Sequence, residues 1–323
     1  MFSSSSSNTC IELENVYKKY GDRLALNGVS LKVTKGVTGL LGPNGSGKST
    51  LIKSLLGLVK IDQGKGNVLG LEWPARAREI RDVVGYLPED DCYISGLQGV
   101  ESVQLAGRLS GLPALESLRR AHEVMDFCDI GQERYRHVET YSTGMRQKLK
   151  FAQTLVHDPS LIILDEPTTG LDPVQREGFL NRIRVLANDF HKTVILSTHI
   201  LPDVRHVCDS VVILVQGRIR VADSLTRLSQ PVEPGLNVVI SEGKEAFQLS
   251  LQNRGINTVE GSRGEVRIVG HDTGSPDVIW QCASESGAVI RSLEPARASL
   301  DQLFMDAVRD GVPSTEEPAD AHY

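Results

Sequence analysis

The sequence predicts an α/β protein built on a mainly parallel sheet covered on both faces. A small antiparallel sheet precedes it, a helical insert interrupts it, and a small α+β domain follows it. Three observations predict this. Apolar runs of strand length, "LIIL" at 161–164, "TVIL" at 193–196 and "SVVILV" at 210–215, are separated by stretches of helical period. A glycine-rich loop at 42–49 lies between a predicted strand and a predicted helix. Beyond residue 235 the pattern reads β-α-β-β-α-β, the ferredoxin-like order.

Each element has a local cause. Ile11 and Leu13, then Val29, Leu31 and Val33, alternate with polar residues, and "YGDR" and "NG" supply turns, so 11–33 form an antiparallel sheet. Residues 37–41 enter the glycine loop as a strand, and 51–59 leave it as a helix. Ser95 followed by Gln98 reads as a capping box for a helix carrying Leu97, Val100, Val103 and Leu105. That helix, a second at 115–127 and a third after Ser142 make the insert, about 92–157. The third repeats Met145, Leu149, Ala152 and Leu155 or Val156 at helical spacing until Asp158-Pro159 stops it. Residues 211–215 and 218–221 form a hairpin about Gln216-Gly217, closing a first domain at 11–227. "LSQPVEPG", 228–235, has linker composition. The second domain, 236–310, reads as strand 236–240, helix 245–254, a hairpin through Ser262-Arg263-Gly264, helix 277–285, strand 288–293 and an amphipathic helix 300–308. Residues 1–10 and 311–323 read as disordered tails.

Composition narrows the function. A net charge of −6 argues against a nucleic-acid binder acting through bulk positive field. Five scattered cysteines with no C-x-x-C pair read as free thiols of a reducing compartment. No run reaches the length of a membrane span, and the N-terminus lacks the apolar core of a secretory signal. The expectation is a cytosolic protein whose membrane role, if it has one, runs through a partner.

Three motifs carry chemistry. "GPNGSGKST" places Gly42 and Gly47-Lys48-Ser49 at the spacing of a phosphate loop. Its glycines let successive N–H groups face one anion, Lys48 reaches the β- and γ-phosphates, and the Ser49 hydroxyl ligates Mg²⁺. "LIILDE" ends a buried strand in Asp165, suited to the Mg²⁺ shell, and Glu166, suited to orient or deprotonate an attacking water. "STH" puts His199 after another parallel strand, where it can donate to the γ-phosphate or the water. A fourth feature is the helix start at Ser142, Thr143 and Gly144, whose free N–H groups suit an anion. With a phosphate loop upstream, the anion it serves is left open by these residues alone.

Together these motifs resemble the ATP-binding-cassette (ABC) ATPases over about 11–227. The resemblance assigns Gly42, Pro43, Asn44, Gly45, Ser46, Gly47, Lys48, Ser49 and Thr50 to the Walker A loop, and Asp165 with catalytic Glu166 to Walker B. It makes His199 the His switch and centres the D-loop on Asp172 in "TTGLDP". Tyr20 in "KKYGD" sits where the family stacks an aromatic on adenine, and Glu89 in "GYLPED" occupies the position of the family's Mg²⁺-contacting Gln. "YSTGM" is similar to the signature Leu-Ser-Gly-Gly-Gln: Ser142 and Gly144 match, and Tyr141, Thr143 and Met145 depart. In this family the signature faces ATP held by the opposite subunit. The resemblance therefore implies ATP and Mg²⁺ as ligands, a second ATPase subunit, and an integral-membrane permease that holds the chain at the cytoplasmic face.

The "YSTGM" variant, "GYLPE" and the late "SLEPARASLDQLF" resemble the ATPases of bacterial type-two exporters. The alternatives are a soluble non-transport ABC ATPase and a nucleotide-dependent switch. Soluble members usually carry two cassettes or a long coiled coil, which this sequence lacks; a switch should have lost Glu166 or His199, and both are present.

Overall fold

The computed structural model describes residues 9–228, 235–260, 265–269, 276–295 and 300–309. The tail at 1–8, most of the linker, the turn about Ser262-Arg263-Gly264 and the tail at 311–323 lie outside the described residues. The chain divides into two compact units, the second being Thr226–Leu303, so the division falls inside the last helix.

The first unit begins with β1 (Thr9–Tyr20) and β2 (Arg23–Thr34), an antiparallel pair in which Ile11 faces Val33 and Leu13 faces Leu31. Their inward residues are fully buried, each worth about 1.5–3 kcal/mol relative to exposure. Two further strands, identified only in the structure, complete this sheet in the order β2-β1-β4-β5. They are β4 (Gln63–Val68) and β5 (Leu71–Trp73). Their sequence, "QGKGNV" above all, lacks strand composition, and pairing with β1 holds them extended.

The central sheet has the order β10-β9-β3-β8-β7-β6. Its strands are β3 (Gly36–Leu41), β6 (Val84–Leu87), β7 (Leu161–Asp165), β8 (Thr193–Ser197), β9 (Ser210–Val215) and β10 (Arg218–Ser224). All neighbours pair in parallel except β9 and β10, which form the expected hairpin. β7 and β8 are buried at every position, as a sheet covered on both faces requires.

Around the sheet run α1 (Lys48–Leu55), α2 (Ala77–Asp82), α6 (Pro173–Asn188) and α7 (Leu201–Val207), and the short α8 (Leu225–Leu228) follows β10 in the chain. Between β6 and β7 lies the helical insert: α3 (Gly99–Leu109), α4 (Ala114–Phe127) and α5 (Thr143–Leu155). One correction concerns α3. Its cap is Gln98, not Ser95: the Gln98 N–H donates to the carboxylate of Glu101 at 2.8 Å. The acceptor three residues into the helix is a glutamate, so the box runs from 98 to 101 and leaves Leu97 outside.

The second unit carries β11 (Gly235–Glu242), α9 (Lys244–Asn253), β12 (Asn257–Glu260), β13 (Val266–Val269), α10 (Pro276–Ser286) and β14 (Val289–Pro295). Its antiparallel sheet has the order β12-β13-β11-β14, with Val238, Phe247, Ile268 and Ile279 in its own core. The last helix is α11 (Leu300–Arg309). Among the described residues no helix is long and apolar enough to cross a membrane, and all five cysteines are free thiols.

Candidate functional site

β3 runs buried between β8 and β9 and releases the chain at Gly42. The loop then curls: the Ser46 N–H donates to the Pro43 carbonyl at 3.1 Å, and Gly47 adopts φ 111°. A Cβ at Gly47 would stand 2.4 Å from the Ala25 carbonyl oxygen, so only glycine fits. α1 starts at once, with no side chain capping its first N–H groups, which leaves them to an anion. Lys48 is buried at that start, and its Nζ donates to the carbonyls of Gly42 at 2.7 Å and Pro43 at 3.4 Å. Burial lowers its pKa; the charges of Glu166, Asp165 and Glu89 oppose the shift.

β7 and β8 lie in register with Asp165 beside Ser197, so both strands end at one level. Beyond Asp165 the chain bends sharply. Glu166 has φ 48°, the left-handed region, at a cost of about 1–3 kcal/mol, and its N–H donates to the Ser197 carbonyl at 2.9 Å. Its carboxylate meets His199 Nδ1 at 2.9 Å and accepts from the Thr198 hydroxyl at 3.4 Å. Glu166 is buried, whereas the His199 side chain is 60 % exposed, and both line one cleft.

That cleft, about 570 Å³, falls within the ~300–1,000 Å³ typical of ligand pockets. It is lined by Tyr20, Asn44, Gly45, Gly47, Lys48, Ser49 and Thr50 on one side and by Glu89, Asp165, Glu166 and His199 on the other. The residues suit a triphosphate and Mg²⁺. The first N–H groups of α1, which no side chain caps, and Lys48 Nζ beside them are the donors such a phosphate needs. Ser49, Glu89 and Asp165 offer only oxygen, the donor Mg²⁺ prefers.

Residues 26–169 match the ABC transporter family. Nod factor export ATP-binding protein I of Burkholderia lata is 36% identical over 241 residues, covering 74% of this chain and 78% of that protein. The chain belongs to the ABC transporter family. Linearmycin resistance ATP-binding protein LnrL of Bacillus subtilis is 29% identical over 303 residues, covering 92% of this chain and 97% of its own length. Among solved structures, a dimeric ATP-binding cassette in a post-hydrolysis state, bound to ADP and phosphate, superposes with a TM-score of 0.61. It is 25% identical and covers 67% of this chain and 98% of that one. As an ABC ATPase, this chain binds ATP with Mg²⁺ and hydrolyses it to ADP and phosphate.

Of the other expected site residues, Ser142, Thr143, Gly144, Met145 and Asp172 do not line the cleft, and Tyr20 does. Ser142 caps α5, its hydroxyl accepting from the Met145 N–H at 3.3 Å, and Thr143 is exposed beside it. Gly144 is buried against α6: a Cβ there would stand 2.3 Å from Gln175 Oε1 of the same chain. Asp172 caps α6, accepting from the Gln175 N–H at 2.9 Å. Tyr20 lines the cleft at 49% exposure, with Lys18 Nζ 5.1 Å from its ring centre.

Some participants have no counterpart in the sequence reading. Arg23 lines the cleft and donates to the Gly45 carbonyl at 2.7 Å. Gln147, buried on α5, donates to the Pro167 carbonyl at 2.9 Å and the Glu166 carbonyl at 3.4 Å, bracing the bend that carries Glu166. Asp203 accepts from Thr168 at 2.7 Å and pairs with Arg176 at 2.6 Å, fixing the segment after Walker B. Gln147 lies off the stripe of Met145, Leu149 and Ala152, so the helical period of the sequence carries no signal for it.

Proposed function

We propose that this chain is the ATP-hydrolysing subunit of an exporter, acting as a pair of cassettes on the cytoplasmic face of a separate integral-membrane permease. The observation that carries this reading is the division of the site. The cleft holds the phosphate loop, the acids and His199, while Ser142, Thr143, Gly144, Met145 and Asp172 do not line it. Those residues then serve a triphosphate bound by a second copy. The relative named for Nod factor export supports the transport direction.

In this reading Lys48 and the N–H groups of the loop bind the β- and γ-phosphates in a buried setting, where charge acts strongly. Tyr20 stacks on the base. Ser49, Glu89 and Asp165 would hold Mg²⁺, which when bound would neutralise phosphate charge. Glu166 accepts a proton from the attacking water. With Nδ1 of His199 committed to Glu166, Nε2 donates to the γ-phosphate only when the ring carries both protons. The second unit, outside the chemical residues, tunes pairing or regulation.

The test is recovery of the chain from detergent-extracted membranes. An integral-membrane permease in fixed ratio with the chain is expected. Recovery of the chain alone, with full ATPase activity in the soluble fraction, would favour a non-transport ATPase.

A further inference from the structure

Lys150 lies two turns into α5 and is buried, 5 % exposed. A buried ammonium costs several kcal/mol unless its three protons are used. Here Nζ donates to three successive carbonyls, those of Pro88 at 3.1 Å, Glu89 at 3.1 Å and Asp90 at 3.2 Å. Its neighbours on the same helical face hold the same segment. Arg146, one turn before, pairs with Asp91 at 3.3 Å and lies 4.9 Å from the Tyr93 ring centre. Thr154, one turn after, donates to the Tyr86 carbonyl at 3.3 Å. Spacing of i, i+4 and i+8 places the three on one stripe, so α5 grips the chain from the end of β6 to Tyr93.

The choice of acceptors is informative. Lys150 binds backbone rather than the nearby carboxylates, so it fixes the path of the main chain and leaves the Glu89 carboxylate free to line the cleft. We propose that Lys150 is a positioning residue for Glu89: by pinning the 88–90 backbone it sets where the Glu89 carboxylate meets Mg²⁺. This rests on the reading of Glu89 as a metal contact. It also makes α5 a single body that carries Ser142 and Gly144 at its start and the Glu89 segment on its flank. An apolar side chain at position 150 would remove the donor that these three carbonyls share.

The test uses the full chain and reads two curves against free Mg²⁺: ATP hydrolysis at saturating ATP, and equilibrium ATP binding by the same variants in the Glu166→Gln background, which scarcely turns over. Lys150→Met removes the donors at similar length; Lys150→Gln retains a donor and stays readable if the methionine variant fails to fold. Lys150→Arg keeps the charge. Either neutral variant is expected to raise the half-saturating Mg²⁺ concentration by about tenfold, the usual size of an outer-sphere effect, with far less change in the maximal rate. Arginine should restore most of the shift. Glu89→Ala should produce the same shift, and Glu89→Ala combined with Lys150→Gln should be no worse than Glu89→Ala alone. An unchanged Mg²⁺ curve in both neutral variants overturns the proposal, as does a combined shift equal to the product of the two. If Glu89→Ala shifts the curve and the Lys150 variants do not, only the positioning role fails. If Glu89→Ala leaves the curve unchanged, the metal reading of Glu89 fails, and with it the claim that Lys150 acts through Glu89.

Discussion

His199 Nδ1 lies 2.9 Å from Glu166 Oε1, though 33 residues separate the two in the chain. The contact follows from strand register. Asp165 and Ser197 are neighbours at the ends of parallel strands, and the left-handed bend at Glu166 turns its carboxylate toward the residue two beyond Ser197. Acid and imidazole therefore form one unit at the floor of the ATP cleft.

That unit predicts a split in kinetics. Glu166→Gln keeps size and loses basicity, so hydrolysis should slow by about 10²- to 10⁴-fold with ATP affinity changed little. His199→Ala removes the donor that orients Glu166 and should cost about 10²-fold or more. Phosphate release under single turnover, beside nucleotide titration, checks both. A His199→Ala protein hydrolysing at the parent rate would remove the imidazole from the mechanism.

Lys48→Ala should abolish hydrolysis and weaken ATP binding, because the buried triphosphate loses its one lysine clamp and the two carbonyls of the loop lose their donor. Equilibrium binding and turnover measured on the same preparation decide it. Near-normal turnover would sink the assignment.

Gln147→Leu should slow hydrolysis by about tenfold while ATP binding survives, since its amide braces the Glu166 and Pro167 carbonyls and touches no nucleotide. Losing a buried amide's hydrogen bonds should also lower stability by about 1–3 kcal/mol, read as a shift in denaturant midpoint. Weakened ATP binding with an intact rate would place Gln147 elsewhere in the mechanism.

Removing everything after Arg227 should leave a folded protein that binds ATP, because every cleft residue precedes that position. Circular dichroism and nucleotide titration test it. An unfolded product would show that the first unit needs what was removed, the second unit or the end of α11.

The phosphate loop was legible because its function is local. Glycines, lysine and serine within one turn dictate both conformation and chemistry, and Gly47 needs no distant partner to be recognised. Asp165, Glu166 and His199 were legible one step further, as ends of strands that a parallel sheet must bring to one edge. Lys150, Gln147 and Arg23 were not. Their targets are backbone carbonyls, which carry no sequence signal, and Lys150 and Gln147 sit on a helix whose periodic reading attends to Leu149, Ala152 and Leu155. β4 and β5 were hidden for the opposite reason: the ladder of β1, not their composition, makes them strands. The cap of α3 was misplaced by three residues because Ser95 is the commoner capping type, while the donor geometry favours Gln98 with Glu101.

The central claim is that α5 presents its N-terminus to ATP held by a second chain. A carboxylate at Gly144 is a poor probe, because its Cβ would first strike Gln175 of the same chain. Thr143→Asp is better: the position is exposed, the size is similar, and a negative charge in the first turn favours the chain's own helix while repelling a facing phosphate. In the Glu166→Gln background, sizing chromatography with and without ATP and Mg²⁺ reads the answer. The single variant should run as a monomer when empty and as a dimer with ATP; adding Thr143→Asp should keep ATP binding and abolish the dimer. Loss of ATP binding by the monomer, or an undiminished dimer, would contradict the claim.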